Sequence, residues 1–175
     1  ARGIFEAILW KPAIFWNIER IDVLKPIKWD SVRRNEIGVV ASTRTQEVFI
    51  EDNRQQRAGL FLKNVCYILH ASFEITEKAE AEDNIIKFEE MFYRRALKGQ
   101  YFHHPYFGCR EFPVNFEIIE KPENLDSPIQ ETRDFGFMLY DMDFSQIEAF
   151  PMWFRCQMEN GIISVPHRES EEVKR

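Results

Sequence analysis

The stretch Asn64-Val65-Cys66-Tyr67-Ile68-Leu69-His70-Ala71-Ser72-Phe73-Glu74-Ile75-Thr76 decides the fold class. Val65, Tyr67, Leu69, Ala71, Phe73 and Ile75 fall on one face with a strict period of two, the signature of a half-buried strand. Residues 77–83 are a charged connection. From 84 to 98 the period changes: Ile85, Phe88, Met91, Phe92 and Arg95 share one face of a helix. Lys98-Gly99 closes that helix, with a cation at the negative dipole end and a glycine for a left-handed cap.

Toward the N-terminus, Ile4, Phe5, Ile8 and Leu9 recur at helical spacing before Pro12. Ile14, Trp16 and Ile18 then alternate as a strand, and Ile21 and Val23 continue it after a phase slip that predicts a bulge. Residues 27–32 read as an edge strand beyond Pro26. The chain opens on Ala1 inside what reads as a helix, so a preceding segment is expected.

Toward the C-terminus, 107–119 reads as a strand and 121–132 as an acidic loop. Residues 135–144, 152–158 and 162–165 read as short strands, with a hairpin turn at Asn160-Gly161. Helix, strand, insertion, strand, helix, strand is βαββαβ without its first strand, the split βαβ unit of ferredoxin-like folds. The expected organisation is α+β: a core over 1–120 with an insertion at about 33–64, a small antiparallel sheet over 121–166, and a charged tail over 167–175 expected to fray.

Of 175 residues, 23 are Lys or Arg and 29 Asp or Glu, giving a net charge of −6. A hydrophobic fraction of 45% excludes a disordered chain. The charge is uneven. Residues 1–36 hold seven basic against five acidic residues, 87–112 five against three, and 117–148 two against nine. A uniformly basic polyanion binder is excluded, whereas a molecule with one basic face is not. Three widely spaced cysteines, Cys66, Cys109 and Cys156, form neither a disulfide framework nor a zinc motif and suit a reducing cytoplasm. No apolar run approaches the ~18 residues of a membrane helix.

The segment from Tyr93 to Phe112 interleaves Arg94, Arg95, Lys98 and Arg110 with Tyr101, Phe102, His103, His104, Tyr106 and Phe107. Such a pattern suits phosphate contact with base stacking, and equally a core aromatic set beside a solvated helix face. Lys11 beside Trp10 and Pro12, the pair Arg33-Arg34, and the pair Arg54 and Arg57 are further candidates for contact with a nucleic-acid backbone. Two adjacent histidines are a poor metal site, and a Cys109–His103 nucleophile is the weaker chemical reading.

These same stretches resemble the CRISPR-associated Cas-five family in its type I-C form. The resemblance rests on Arg2-Gly3-Ile4 through Leu9-Trp10-Lys11-Pro12, Asp30-Ser31-Val32-Arg33-Arg34-Asn35-Glu36, and Asp52 through Arg57. It continues with Arg94-Arg95 through Gly99-Gln100, Phe102-His103-His104-Pro105 through Phe112, Gly136 through Asp141, and Met158-Glu159-Asn160-Gly161. It implies a ferredoxin-like core and a subunit of the Cascade surveillance complex. That subunit cuts precursor CRISPR RNA at the repeat hairpin by metal-independent 2′-hydroxyl attack, needs no cofactor, and holds the 5′ handle. The implied partners are CRISPR RNA, the Cascade backbone and large subunits, and target DNA through the complex, with no membrane. A non-catalytic handle-binding subunit is the alternative. Some members carry a Tyr before the Trp-Lys-Pro stretch and a Lys-His pair early in the second helix. This chain has Leu9 and Lys87-Phe88 there. The candidate catalytic set is therefore His103, His104, Lys87 and Tyr101. The candidate RNA-binding set is Lys11, Arg33, Arg34, Arg54, Arg57, Arg94, Arg95, Lys98 and Arg110.

Overall fold

The computed structural model describes residues 1–40, 42, 47–121, 125–144 and 148–175. The middle of the polar 42–47 run and part of the 121–132 loop lie outside the described residues. The chain is α+β. Its elements are α1 (Arg2–Ile8), β1 (Ile14–Val23), β2 (Trp29–Ile37), α2 (Ile50–Asn53), β3 (Arg54–Leu62), β4 (Tyr67–Ile75), α3 (Ile85–Leu97), β5 (Arg133–Asp143), β6 (Phe150–Glu159) and β7 (Ile162–Ser164). They fall into two compact units, Ala1–Leu24 with Tyr67–Arg175, and Lys25–Cys66.

The first unit is built on a five-stranded antiparallel sheet in the order β4-β1-β7-β6-β5. One face of β1 and β4 carries Ile14 opposite Ile75, Trp16 opposite Phe73 and Ile18 opposite Ala71. These apolar pairs need cover, and α1 and α3 supply it. Leu9, Ala13, Ile14, Trp16 and Phe88 form a buried cluster against which Phe5, Phe73, Met91 and Phe92 pack. The Trp16 indole N–H donates to the Leu9 carbonyl at 2.9 Å, so its one polar atom is satisfied inside the core. The expected bulge lies between Ile18 and Arg20. It returns Ile21 and Val23 to the apolar face and sets Arg20 and Asp22 on the other.

At the predicted hairpin turn, Asn160 and Gly161 take φ of 49° and 77°. A side chain at Gly161 would also run into the Ile129 backbone. The C-terminal strands are antiparallel as expected. Through β7 they continue the sheet of β1 and β4 rather than standing apart from it.

Two expectations fail. Residues 107–119 are not a strand. Gly108 at φ +74° and Pro113, which has no N–H, break any ladder, and the segment closes on itself through Phe107 N–H to the Phe112 carbonyl at 2.9 Å. The βαββαβ unit thus lacks that strand, and β7 lies beside β1 instead. The tail does not fray. Lys174 and Trp153 exchange backbone hydrogen bonds at 2.7 and 2.8 Å, and Arg168 bonds Asp141 at 3.2 Å. The edge strand expected over 27–32 is present from Trp29 as the start of β2, which pairs with β3 in a two-stranded sheet.

The second unit is that two-stranded ribbon, running in unbroken register from Trp29–Leu62 to Ile37–Arg54. Most of its residues are exposed on both faces. Lys63 Nζ bonds Asp30 at 2.8 Å near its open end.

Candidate nucleic-acid interface

Helix α3 organises the candidates of the first unit, and its two ends differ. At the N-terminal end the Asn84 side chain caps the helix by accepting from the Lys87 N–H at 2.9 Å. Lys87 Nζ donates to Asp83 at 2.9 Å. That hydrogen bond holds the Lys87 ammonium above the ordinary lysine range. It also holds the Asp83 carboxyl below its own range, with the Glu80 N–H assisting. Lys87, Lys11 and Lys78 line a cleft of about 250 Å³ with Glu80 and Asp83. The turn carrying Lys11 is fixed by Thr76, whose hydroxyl donates to the Pro12 carbonyl at 2.6 Å and whose N–H donates to the Ala13 carbonyl at 2.9 Å.

At the C-terminal end Arg94 and Arg95 occupy the last turn and Lys98 the cap, where cations complement the carbonyl end of the dipole. Gly99 at φ +61° turns the chain out of the helix. Arg94 and Lys98 lie one turn apart along an open groove of about 490 Å³ that Glu90, Tyr93 and Leu97 also line. The loop that follows is anchored by the Phe102 N–H to the Ala7 carbonyl at 2.7 Å and by buried Pro105. Its rings pack in sequence: Tyr101 on His104 at 5.0 Å, Phe102 on His103 at 6.2 Å, and His103 on Tyr106 at 5.9 Å. Each histidine sets Nδ1 toward a backbone carbonyl, His103 to His104 at 3.3 Å and His104 to Pro105 at 3.0 Å. Both imidazoles are exposed, as are Tyr101 and Arg110.

His103, His104 and Tyr101 thus share one loop that follows the Arg94, Arg95 and Lys98 end of α3 in the chain, and Lys87 stands on the first turn of that helix, engaged by Asp83. Ten residues separate Lys87 from Leu97, about 15 Å along the helix axis. The positions where some members of the resembled family carry Tyr and His, Leu9 and Phe88, are both buried in the same core cluster.

In the second unit Arg34 stands directly opposite Arg57, while Arg33 and Arg54 share the other face of the ribbon. Like charges in direct opposition cost stability unless an anion intervenes. The Glu36 carboxylate reaches Arg57 at 3.5 Å. Trp29, on the face of Arg33, is 58% exposed.

The sequence reading missed Lys78 and did not give Trp10 a role of its own. Lys78 gave no periodic signal because it lies in a connection. Trp10 is 63% exposed beside Lys11, and a lone aromatic beside a cation was its only signal. Among the described residues no group of three or more His, Cys, Asp or Glu is placed to hold a metal ion. No helix of the structure is long and apolar enough to cross a membrane.

Residues 1–166 match the family described as CRISPR-associated protein (Cas_Cas5), in its Cas5d form. The chain is 47% identical over 191 residues to "CRISPR pre-crRNA endoribonuclease Cas5d" of Mannheimia succiniciproducens, covering 100% of this chain and 84% of the relative. It is 34% identical over 198 residues to the protein of the same name from Thermus thermophilus, covering 100% and 81%. Among solved structures it is similar to a functionally uncharacterized protein from Streptococcus mutans, with a TM-score of 0.68, 22% identity, and 99% and 82% of the two chains covered. It is also similar to a CRISPR-associated protein, with a TM-score of 0.69, 18% identity, and 99% and 81% covered. At those identities the two structures speak for the fold alone.

Proposed function

The chain belongs to the CRISPR-associated protein Cas5 family, in its Cas5d form, and on that premise we propose that it is an endoribonuclease of precursor CRISPR RNA. It cuts the repeat hairpin without a metal ion and keeps the 5′ handle as a subunit of Cascade. The observation that carries this reading is the exposed loop of two histidines and three further aromatics at the basic end of α3.

The chemistry follows from what such a loop can supply. The 2′-hydroxyl attacks the adjacent phosphorus in line. A neutral imidazole takes its proton, an imidazolium protonates the departing 5′-oxygen, and nearby cations stabilise the added phosphate charge. The products are a 2′,3′-cyclic phosphate and a 5′-hydroxyl. His103 and His104 are the proton-transfer groups, with Tyr101 a further donor. Arg94, Arg95, Lys98 and Arg110 hold the surrounding backbone. Lys87 is a phosphate contact rather than a base, because Asp83 keeps its ammonium charged. Lys11 contributes from the same cleft, and Arg33, Arg34, Arg54 and Arg57 offer further backbone contacts on the ribbon. Exposed Phe49, Phe150 and Trp153 suit contacts with the backbone and large subunits, through which target DNA is reached.

The test is single-turnover cleavage of a repeat hairpin by His103→Ala, His104→Ala and the double variant, with binding measured in parallel. Loss of about 10²-fold or more in rate with binding retained supports the roles. Full cleavage by the double variant removes them. A second reading, a handle-binding subunit without catalysis, is favoured by the burial of Leu9 and Phe88 in the core. Incubating the protein with the hairpin in EDTA separates the two readings.

A further inference from the structure

A cluster outside this site is made only by the strand register. Asp22, on β1, is 2% exposed. A carboxylate so placed is costly unless paired. Arg20, two residues before it on the same face, binds it in a fork, Nε to Oδ1 and Nη2 to Oδ2, both at 2.6 Å. The opposing strand β4 sets His70 directly across from Arg20, and its Nε2 meets Asp22 Oδ2 at 3.0 Å.

Arg20 already compensates the buried charge, so the histidine is not needed for that. Its geometry does something else. A carboxylate only accepts, so Nε2 carries the proton and Nδ1 is the atom left to accept or, once protonated, to donate. The imidazole is 40% exposed and the guanidinium 44%. Both therefore present N–H groups to solvent from one fixed oxygen. The next polar residues on this face are Ser72, along β4, and Ser164, which pairs with Arg20 from β7.

The surroundings select the ligand. This face lies opposite the one that α1 and α3 cover, the side on which sheet-based RNA modules bind. Phe15 on this face is capped by Arg2 at 5.0 Å and Arg168 at 5.4 Å, while the register places exposed Phe137 and Trp153 on the same face along β5 and β6. At the cluster itself stand a cation and a ring donor, which suit a phosphate, and the rings of Phe137 and Trp153 on the same face offer stacking to neighbouring bases. The charged groups facing His70 are Arg20 and Asp22 from β1. Glu74, farther along β4, is engaged by Asn17 at 2.6 Å and His167 at 3.0 Å, and β7 offers no charge opposite.

We infer that Arg20 and His70, oriented by buried Asp22, form a phosphodiester-binding site for RNA on the sheet face away from α1 and α3, separate from the histidine loop. It rests on the reading that the protein binds CRISPR RNA. The Nδ1–H of His70 joins the Arg20 guanidinium on a phosphate oxygen when the ring is protonated, and this contact is lost on deprotonation.

Binding of a labelled single-stranded RNA is measured at about pH 6 and about pH 8. Ionic strength is held constant, and wild type, His70→Gln and His70→Lys are compared. Gln should weaken binding about three- to tenfold at the lower pH and leave it unchanged at the higher. Lys should bind tightly at both. Denaturation midpoints at the higher pH confirm that the variants fold. Equal affinities for wild type and His70→Gln at both values overturn the inference while RNA cleavage by the same samples leaves the processing reading standing. A His70→Lys variant no better than His70→Gln overturns it too. Wild type that binds no RNA at either pH overturns both.

Discussion

The histidines of this protein sit in two kinds of setting. His103 and His104 lie next to each other on an exposed loop, their ring nitrogens facing backbone carbonyls at 3.3 and 3.0 Å. His70 lies on a strand, held by a buried carboxylate that an arginine already grips. The loop site is a product of sequence neighbourhood, whereas the sheet site is a product of register. The difference decides what mutation does at each. Removing a loop imidazole leaves the core untouched, while disturbing the sheet cluster breaks the hydrogen bonds of a buried carboxylate.

The largest effect should fall on the sheet. Asp22→Asn breaks the fork with Arg20, whose side chain is 44% exposed, and should cost about 2 kcal/mol in chemical denaturation at neutral pH. His103→Ala should move stability by less than about 0.5 kcal/mol. The gap between wild type and Asp22→Asn should also depend on pH. Arg20 first, and His70 after it, hold Asp22 below the ordinary 3.8. Its contribution is therefore fully present above pH 3.8 and lost as the pH falls through the lower folded value. A gap that stays constant down through that window would show that the carboxylate is not the source.

Next comes Lys87. Lys87→Ala should weaken hairpin binding about tenfold, the scale of one charged hydrogen bond, and Lys87→Arg should retain most of it. A rate loss with unchanged binding would move Lys87 from phosphate contact to proton transfer, and so bring the two ends of α3 into one site. Asn84→Ala removes the cap of the same helix and should cost about 1 kcal/mol, read from the denaturation midpoint. The smallest effect is on salt dependence. Arg94→Ala with Lys98→Ala should lower the log–log slope of RNA affinity by about two units if both touch phosphate. An unchanged slope would assign them to the solvated helix face.

What the sequence made legible follows the same division. β4 and α3 were readable because each has one buried face, so burial writes a period of two or 3.6 into the residues. The bulge after Ile18 was readable as a slip in that period, and the hairpin as Asn160-Gly161. Of the β2–β3 ribbon only the start was readable, as the edge strand over 27–32, since exposure of Arg33, Arg34 and Asn35 and of most of β3 leaves no burial period to read. Residues 107–119 misled for the opposite reason. Phe107, Phe112, Val114 and Phe116 supply strand-like residues, but Gly108 and Pro113 decide the backbone. The docked tail was missed because its charges find Asp141 and Glu74 only after the sheet has formed. The loop histidines were visible as a contiguous cluster. Arg20, Asp22 and His70 were not, because nothing in the sequence announces that Asp22 meets an imidazole 48 residues away.

The measurement that bears most directly on the loop is cleavage of the repeat hairpin in EDTA under single-turnover conditions. Wild type and the His103→Ala, His104→Ala double variant are run side by side, and affinity is taken from the same samples. Wild type should yield a 2′,3′-cyclic phosphate and a 5′-hydroxyl, and the double variant should be slower by about 10²-fold at unchanged affinity. Equal rates for the two proteins would contradict the account.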